Sequence, residues 1–422
     1  MSATETHRAI EAVWRMESAR LVAALMRIVR DLGVAEELAQ DGLVAALEQW
    51  PESGIPWNPG AWLMVTAKHR AVDYFRRTAL IARKHEILGR ELTERESELP
   101  DLTAAMDDKI GDDLLRLLFV ACHPVLSTEA RVALTLRLLG GLSTDEIARA
   151  YLVAESTIAQ RIVRAKRSLT EAGVPFEVPR GAEFMARLSS VLQVMYLIFN
   201  EGYSATSGDH WMRPALCEEA LRLGRVLAEL VPEEPEVHGL VALMEIQASR
   251  SKARVGKSGE PILLLDQDRA QWDQLLVHRG LAALNRAEQL GQKGGPYAIQ
   301  AAIAACHARA ATPRDTDWAR IAALYAKLAE VAPSPIVELN RAVAIGMASG
   351  PEVGLTLIDA LRDGPALRGY HLLPSVRGDL LQKLRRFEEA RMEFESAASI
   401  TRNERERHLL IERARGCGDG QE

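Results

Sequence analysis

The sequence is poor in aromatic residues. Phe, Tyr and Trp together make up 5% of its 422 residues, whereas Ala, Leu and Arg are abundant. Sandwiches and barrels draw on aromatic and β-branched residues, while straight-chain residues lose little side-chain entropy in a helix. The composition therefore predicts an all-α protein, and the length predicts more than one domain.

Cysteine is also scarce. The four cysteines, Cys122, Cys217, Cys306 and Cys417, form no C-x-x-C pair, and this favours reduced, buried or surface thiols in a cytoplasmic protein. The histidines show no ligand spacing such as H-E-x-x-H. We therefore expect no catalytic residue, no metal site and no cofactor.

Long apolar runs are missing as well. The most apolar stretch, VLQVMYLIF at 191–199, is too short to cross a bilayer. The first residues, MSATETHRAIEAVW, have neither the basic start nor the apolar run of a signal peptide. We expect a cytoplasmic protein without a membrane segment.

Two polar segments invite a functional interpretation. SKARVGKSGE (251–260) imitates a nucleotide-binding loop, but Ser251 stands where the motif requires Gly and no apolar strand precedes it. We expect an exposed basic loop there. NEGYSATSGDHW (200–211) is turn-rich and suits an interdomain contact slightly better than a small-molecule site.

Helical periodicity dominates what is present. It predicts amphipathic helices at 10–31, 34–49 and 60–78, with a Pro- and Gly-rich interruption at 50–60. Residues 91–113 hold nine acids and two bases, which predicts a linker with little capacity to form a core.

The later part of the chain is also predicted to be helical. A compact block at 113–172 and a boundary at 174–181 precede a long helical part, 182–422. Within that part, residues 378–397 match the tetratricopeptide spacing of small and bulky residues, and residues 342–361 match it less well. Generic antiparallel helices are the alternative.

The chain is acidic overall, with a net charge of -6, yet residues 156–169 hold four cations and no carboxylate. Just upstream, Ser143 and Glu146 have the spacing of a capping box, which predicts a helix from about Thr144. A short break near 152–154 follows, and a second helix is expected to start near residue 155.

This second helix is predicted to be amphipathic. Its apolar positions recur at helical spacing: Ile158, Ile162, Ala165 and Leu169. Its opposite face carries polar and basic positions: Gln160, Arg161, Arg164 and Arg167. Two short helices joined by a tight turn, the second basic on its outer face, describe a helix-turn-helix that binds duplex DNA. The alternative is a helical hairpin with a solvated basic face.

A second basic segment, 68–90, holds seven Lys or Arg and two acids. Tyr74 and Phe75 lie among the cations, and Trp57 and Trp62 lie upstream. Cations beside aromatic rings suit unstacked single-stranded bases, although Trp62 and Phe75 also suit a helical core. Together with the helix-turn-helix, the segment indicates a protein that handles both melted and duplex DNA.

These segments resemble those of bacterial extracytoplasmic-function sigma factors, the initiation subunits of RNA polymerase. AEELAQDGLVAALEQW (35–50) is similar to region 2.2, NPGAWLMVTAKHRAVDYFRR (58–77) to regions 2.3 and 2.4, and LSTDEIARAYLVAESTIAQRIVRAKRSL (142–169) to region 4.2. Other segments resemble the subgroup with a long C-terminal tetratricopeptide-like extension: ACHPVLSTEARVALTLRLLGGLS (121–143), YLIFNEGYSATSG (196–208), DQDRAQW (266–272), QAAIAACHA (300–308), TDWARIAALY (316–325) and SPIVELNRAVA (334–344).

The resemblance implies three sets of site residues. The region 2.2 helix would dock on the polymerase through Glu36, Glu37, Leu38, Gln40 and Asp41. Regions 2.3 and 2.4 would melt and read the -10 element through Trp62, His69, Arg70, Tyr74, Arg76 and Arg77. Region 4.2 would contact the -35 element through Thr157, Gln160, Arg161, Val163, Arg164, Lys166 and Arg167. In the last set, Gln160, Val163 and Arg164 suit base edges, and the others suit phosphates.

Two positions depart from the family pattern, and one acid has a separate expected role. Leu152 stands in a turn where many sigma factors carry Gly, and Ala159 stands where they often carry a cation. Both departures look usual for the subgroup and affect promoter specificity. Asp73 is expected to be structural and to hold a neighbouring cation.

The implied domains are sigma region 2 at 1–90, an acidic linker at 91–112, sigma region 4 at 113–173 and a regulatory extension at 181–422. The linker, in which we count Asp107, Asp108, Asp112 and Asp113, would imitate nucleic acid in the RNA-exit path of the polymerase.

The implied function is that of a sigma factor rather than an enzyme. It would bind core RNA polymerase, at the β′ clamp coiled coil and the β flap, and promoter DNA. A soluble protein is a further candidate partner, for the extension, and no membrane is expected. The alternatives are a polymerase-independent helix-turn-helix regulator with a repeat sensor domain, and a scaffold with merely solvated basic helices.

Overall fold

The structure is a computed structural model that describes residues 3–88, 110–257, 259–291, 294–362, 364 and 367–418. Within these ranges the regular structure is helical, and extended pairing is confined to two isolated bridges. The all-α prediction is therefore confirmed. The chain divides into two compact units, Met1–Val194 and Met195–Glu422.

The first unit begins with three long helices: α1 (Ala3–Val29), α2 (Leu32–Ser53) and α3 (Pro59–Leu88). The carboxylate of Asp31 caps α2 by accepting a hydrogen bond from the Val34 N–H at 2.9 Å. Leu25, Trp50 and Leu63 are fully buried, one from each helix. The three helices predicted here are confirmed. Each is longer than predicted, although α1 begins earlier and also ends two residues earlier than expected.

Four shorter helices follow: α4 (Ile110–Ala121), α5 (Thr128–Leu138), α6 (Thr144–Tyr151) and α7 (Glu155–Glu171). The linker was expected to reach residue 112, but α4 already begins at Ile110. Asp113 is buried and pairs with Arg27 of α1 at 3.3 Å and with Arg116 at 2.6 Å. Asp113, which we counted with the acids of the linker, therefore belongs to the packed part of the first unit, where its carboxylate neutralises two arginines. Asp107 and Asp108 lie outside the described residues.

The division between the units falls within α8 (Gly181–Tyr203). The first half of α8 completes the core of α4 and α5: the Phe184 ring lies 5.6 Å from that of Phe119, and Arg187 donates to the Phe119 carbonyl at 3.0 Å. The Ser190 hydroxyl donates to the Cys122 carbonyl at 2.7 Å.

Helix α8 also contains the apolar stretch at 191–199. That stretch is nine residues long, but the helix that includes it has 23 residues. Among the described residues, α8 is the one helix long and apolar enough to cross a membrane, and half of its most apolar window is buried inside the protein. A core helix passes the same test, so this is a weak indication of a span.

The second unit continues with ten helices within the described residues: α9 (Pro214–Leu230), α10 (Pro235–Ser249), α11 (Gln274–Leu290), α12 (Pro296–Arg309), α13 (Trp318–Val331), α14 (Pro335–Ser349), α15 (Pro351–Leu361), α16 (Leu372–Lys383), α17 (Phe387–Ile400) and α18 (Glu404–Gly418). Five of them begin with Pro, whose missing N–H and fixed φ suit the first helical position. In the part of this unit that the structure describes, four short 3₁₀ turns lie between the helices.

Both segments that match the tetratricopeptide spacing form packed helical hairpins. A Cβ atom on Gly378 would lie 2.8 Å from the Phe394 ring, and one on Gly354 would lie 2.8 Å from the Cα of Gly346. Small residues are therefore required where the paired helices cross. The helical extension is confirmed, and its tetratricopeptide character stays a prediction.

The two polar segments differ from expectation. In 251–260, Arg254 is buried and lies 3.4 Å from the Tyr203 ring centroid, so this segment is not simply an exposed basic loop. The contact that the structure shows for 200–211 lies within the second unit. There the Asn403 amide donates to the carbonyls of Ala205 and His210 at 3.1 and 2.9 Å.

Candidate nucleic-acid interface

The capping box of the helix-turn-helix is formed as predicted. The Glu146 N–H donates to the Ser143 hydroxyl at 3.1 Å, and the Ser143 N–H donates to the Glu146 carboxylate at 2.8 Å. Helix α6 therefore begins at Thr144. The second Glu146 oxygen pairs with Arg15 of α1 at 2.6 Å, so the cap also ties α6 to the first helix.

Leu152 makes the turn between α6 and α7 in a left-handed conformation, with φ 50° and ψ 45°. This conformation brings Cβ too close to the following carbonyl oxygen and costs a non-Gly residue about 1–2 kcal/mol. The Leu152 side chain is exposed, so burial does not offset the strain. Leu152 thus adopts the left-handed conformation for which Gly is better suited, and this lowers the stability of the folded protein.

Helix α7 has the two predicted faces. Ile158, Ile162, Ala165 and Leu169 are all buried. The outward positions remain at solvent: Thr157, Gln160, Val163, Arg164 and Arg167 are exposed, and Arg161 is half-buried. Arg167 pairs with Glu171 at 2.6 Å, one turn further along α7. This outer face offers an amide, an apolar side chain and guanidinium groups to a groove and its phosphates.

A groove of about 460 Å³ runs beside this face. Thr157, Gln160, Arg161 and Arg164 line it from α7. The opposite side consists of residues 125–127, which precede α5, and of Glu129 and Ala130 in its first turn. Hydrogen bonds from its own backbone and from Ser127 hold the pKa of Glu129 below its usual value, and Arg161 adds to this effect. Four predicted -35 residues are therefore brought together, with one carboxylate beside them.

Lys166 does not share the open face. Its ammonium group forms an ion pair with Glu36 of α2. The Glu36 carboxylate also accepts hydrogen bonds from the Arg137 Nε at 2.8 Å and from the Gln40 amide at 3.0 Å. Burial raises the pKa of Glu36, but Lys166 and Arg137 outweigh burial and hold it below its usual value.

The structure corrects the predicted docking set on α2. Glu36 is 6% exposed and Leu38 is 5% exposed, because the first pairs with two cations and the second packs in the core. Glu37 and Asp41 are exposed, and Gln40 is half-buried. Neither Glu36 nor Leu38 offers a surface to a partner in this conformation.

Two exposed residues of α2 were missed. Val44, 50% exposed, and Glu48 follow Glu37 and Asp41 at spacings of three and four residues. These four residues therefore form one stripe on the outer side of α2. We call Glu37, Asp41, Val44 and Glu48 the α2 stripe. The signal in the sequence that could have found them was the helical spacing itself.

Helix α3 presents most of the predicted -10 residues to solvent. His69, Arg70, Tyr74, Arg76 and Arg77 are all exposed. Asp73 pairs with Arg76 at 3.8 Å, so it lies beside a neighbouring cation as expected, although both side chains are exposed.

Two tryptophans near the start of α3 differ in exposure. Trp62 packs edge-on against the buried Trp50 with a centroid distance of 5.2 Å, so part of its ring is committed to the core. Trp57, just before α3, is fully exposed. Trp57 was noted in the sequence but was not assigned to the site, and a free indole face suits base stacking better than Trp62 does.

Comparisons with known proteins agree with this geometry. Residues 14–80 match the family described as Sigma-70 region 2, and residues 116–169 match Sigma-70, region 4. Residues 187–288 match a family of unknown function, DUF6596. No solved structure gives a significant match.

Three relatives illustrate the range of similarity. An uncharacterised protein of Rhizobium meliloti (strain 1021) is 44% identical over 90% of this chain and 89% of its own length. The ECF RNA polymerase sigma factor SigK of Mycobacterium tuberculosis (strain ATCC 25618 / H37Rv) is 30% identical over 36% of this chain and 78% of SigK. The probable ECF RNA polymerase sigma factor SigI of the same strain is 26% identical over 41% of this chain and 58% of SigI.

Proposed function

The chain belongs to the extracytoplasmic-function (ECF) RNA polymerase sigma factors, and we propose that it binds core RNA polymerase, directs it to specific promoters and assists DNA melting. The observation that carries the proposal is α7, whose inner face is fully buried while its outer face presents amide, apolar and cationic groups. A scaffold whose basic helices are merely solvated would not need an amide and an apolar side chain among the exposed cations of one helix face. The protein acts in the cytoplasm and is not itself an enzyme.

Each binding step has its own surface. The α2 stripe docks on the β′ clamp coiled coil through its acids and Val44, and the helix-turn-helix contacts the β flap and the -35 element. The exposed cations of α3, together with Tyr74, hold the -10 strand, and Trp57 stacks on a base after melting.

The second unit, Met195–Glu422, controls this activity. A soluble small molecule is the first candidate input, because this unit buries the charged side chains of Arg250 and Arg254. A soluble protein partner is the second candidate input, because stacked helices expose extended surfaces suited to proteins.

The proposal is tested with the full-length protein and core RNA polymerase. We expect tight binding, and we expect Val44→Asp to weaken it at least tenfold because it places a charge in the apolar centre of the α2 stripe. Met16→Asp is the matched control, since Met16 is an exposed apolar residue of α1 outside the stripe.

Promoter-dependent transcription is the second readout. If the wild-type protein has no affinity for core polymerase yet binds duplex DNA, the polymerase-independent regulator is the correct interpretation. If Met16→Asp loses as much affinity as Val44→Asp, the α2 stripe is not the docking surface.

A further inference from the structure

The second unit contains a cavity of about 460 Å³, large enough for a small organic molecule. Tyr196 and Tyr203 line it from α8, Arg250 from the end of α10, and Gln300 and His307 from α12. Among the described residues that line the cavity there is no carboxylate, and Arg250 is the one side chain with a permanent charge.

Arg250 is buried without an acidic partner. It is 9% exposed, and no carboxylate lies within ion-pair distance of it among the described residues. Its Nη2 donates to the Tyr203 hydroxyl and the Gln247 amide oxygen, and its Nε has no partner. The Trp272 ring centroid lies 5.6 Å from the guanidinium carbon. Neutral acceptors and a ring face leave the positive charge uncompensated, and this is costly unless an anion binds.

The surroundings add to this positive charge. Arg254 is also buried, its guanidinium carbon lies 3.4 Å from the Tyr203 ring centroid, and no carboxylate pairs with it among the described residues. Arg269 lies close enough to act on His307. Asp315 offsets part of the Arg269 charge, whereas Arg254 lies close enough to Arg250 for the two buried positive charges to repel each other.

His307 supplies a second unsatisfied polar group. It is 8% exposed, and its Nδ1 has no hydrogen-bond partner. Burial, with Arg250 and Arg269, lowers the pKa of His307 to about 4. The imidazole is therefore neutral at pH 7 and has one N–H to donate. A neutral ring does not repel the Arg250 guanidinium.

The remaining walls are apolar or aromatic. Phe199, Ile303, Tyr325 and Leu328 belong to the lining. One lining cation suits a single negative charge better than a doubly charged phosphate, and the ring faces suit a flat or apolar body. We propose that this cavity binds a small organic carboxylate, whose carboxylate group meets Arg250 and His307 and whose body lies against Phe199 and Tyr325.

The binding claim is independent of the sigma activity, because it is tested on the protein alone. The probes are 4-hydroxyphenylacetate and phenylacetate, each compared with its neutral amide by calorimetry and by thermal shift on the full-length protein. We expect each acid to bind at least tenfold more tightly than its amide, since a buried hydrogen bond to a charged group is stronger than one to a neutral group.

Equal binding of acid and amide, or no stabilisation by either acid at 20 mM against matched sodium chloride, overturns the proposal. A short peptide with a free C-terminal carboxylate is compared with the same peptide carrying a C-terminal amide. If the peptide acid binds and the two small acids do not, the occupant is a chain terminus and the small-molecule assignment is wrong.

A matched pair of variants locates the site. Arg250→Gln is expected to lower acid affinity at least tenfold while amide affinity stays unchanged. Arg309→Gln removes a charge from the exposed end of α12 outside the lining, and it is expected to change neither. Equal losses in both variants contradict the assignment, and the comparison of acid with amide on the wild-type protein remains decisive if Arg250→Gln fails to fold.

Discussion

The carboxylate of Glu36, on α2, is buried against the ammonium group of Lys166, on α7. The first residue was assigned to polymerase docking and the second to phosphate contact, yet in this conformation each neutralises the other. Arg137 completes the site from α5. The pair holds α2 against α7, and it leaves the α2 stripe and the outer face of α7 exposed.

Removing the Glu36 charge should destabilise the first unit. Glu36→Gln is expected to lower the free energy of unfolding by about 3 kcal/mol, because Lys166 and Arg137 then lose a buried counter-charge. Urea unfolding of the full-length protein, followed by tryptophan fluorescence, measures the change. Glu37→Gln, one residue along on the exposed side, should stay within about 0.5 kcal/mol of the wild type. A similar loss in both variants would contradict the role of the buried pair.

The contribution of Glu36 should depend on pH in a defined direction. Its pKa is lower in the folded protein than the ordinary value of 4.5, so its stabilising effect is complete above pH 4.5 and is lost as pH falls through the lower folded pKa. The stability difference between wild type and Glu36→Gln should therefore shrink below pH 4.5. Urea titrations between pH 3.5 and 7 test this, and a difference that does not vary with pH would refute it.

Freeing Lys166 should alter DNA binding. In Glu36→Gln, the released ammonium group becomes available to a phosphate, and the salt dependence of duplex binding should steepen by about 0.9 in the slope of log K against log salt. The double variant Glu36→Gln/Lys166→Gln should restore the wild-type slope. Anisotropy titrations at several salt concentrations measure the slopes, and unchanged slopes in all three proteins would show that Lys166 does not reach DNA.

Two arginines of α7 should differ in what they contribute to promoter recognition. Arg164 is exposed in the groove lined by Gln160, so Arg164→Ala should remove about 1–3 kcal/mol of discrimination at one base pair. Arg167 lies beside Glu171 at the far end of the face, and Arg167→Ala should weaken binding to all sequences alike. Affinities for a set of single-base variants of the preferred -35 element separate the two cases. A uniform loss in Arg164→Ala would assign it to phosphate instead.

The strained turn should respond to glycine. Leu152→Gly relieves a left-handed conformation that costs Leu about 1–2 kcal/mol, and the greater chain entropy of Gly offsets about 0.5–1 kcal/mol of the gain. The net effect should be a stabilisation of up to about 1 kcal/mol, seen in urea unfolding and as a higher Tm. Val153→Gly is the control, because Val153 has no positive φ, and it should destabilise. Destabilisation by Leu152→Gly would mean that its side chain matters more than its backbone.

The sequence alone determined the features that depend on neighbours a few positions apart. The capping box of Ser143 and Glu146, the start of α7 at Glu155 and the burial of Ile158 and Ile162 all follow from helical periodicity and local hydrogen bonding, which act within one or two turns. The assignment of α7 to a helix-turn-helix therefore needed no tertiary information.

Only the tertiary structure decided which charged groups meet. Glu36 and Asp113 looked like surface acids in the sequence, yet each is buried and pairs with at least one cation far away along the chain: Glu36 with Arg137 and Lys166, and Asp113 with Arg27. The cavity around Arg250 is likewise built from side chains of several helices. Local spacing places a residue on a face of its own helix, but the fold decides what that face contacts, because ion pairs and cavities form between segments that sequence order does not relate.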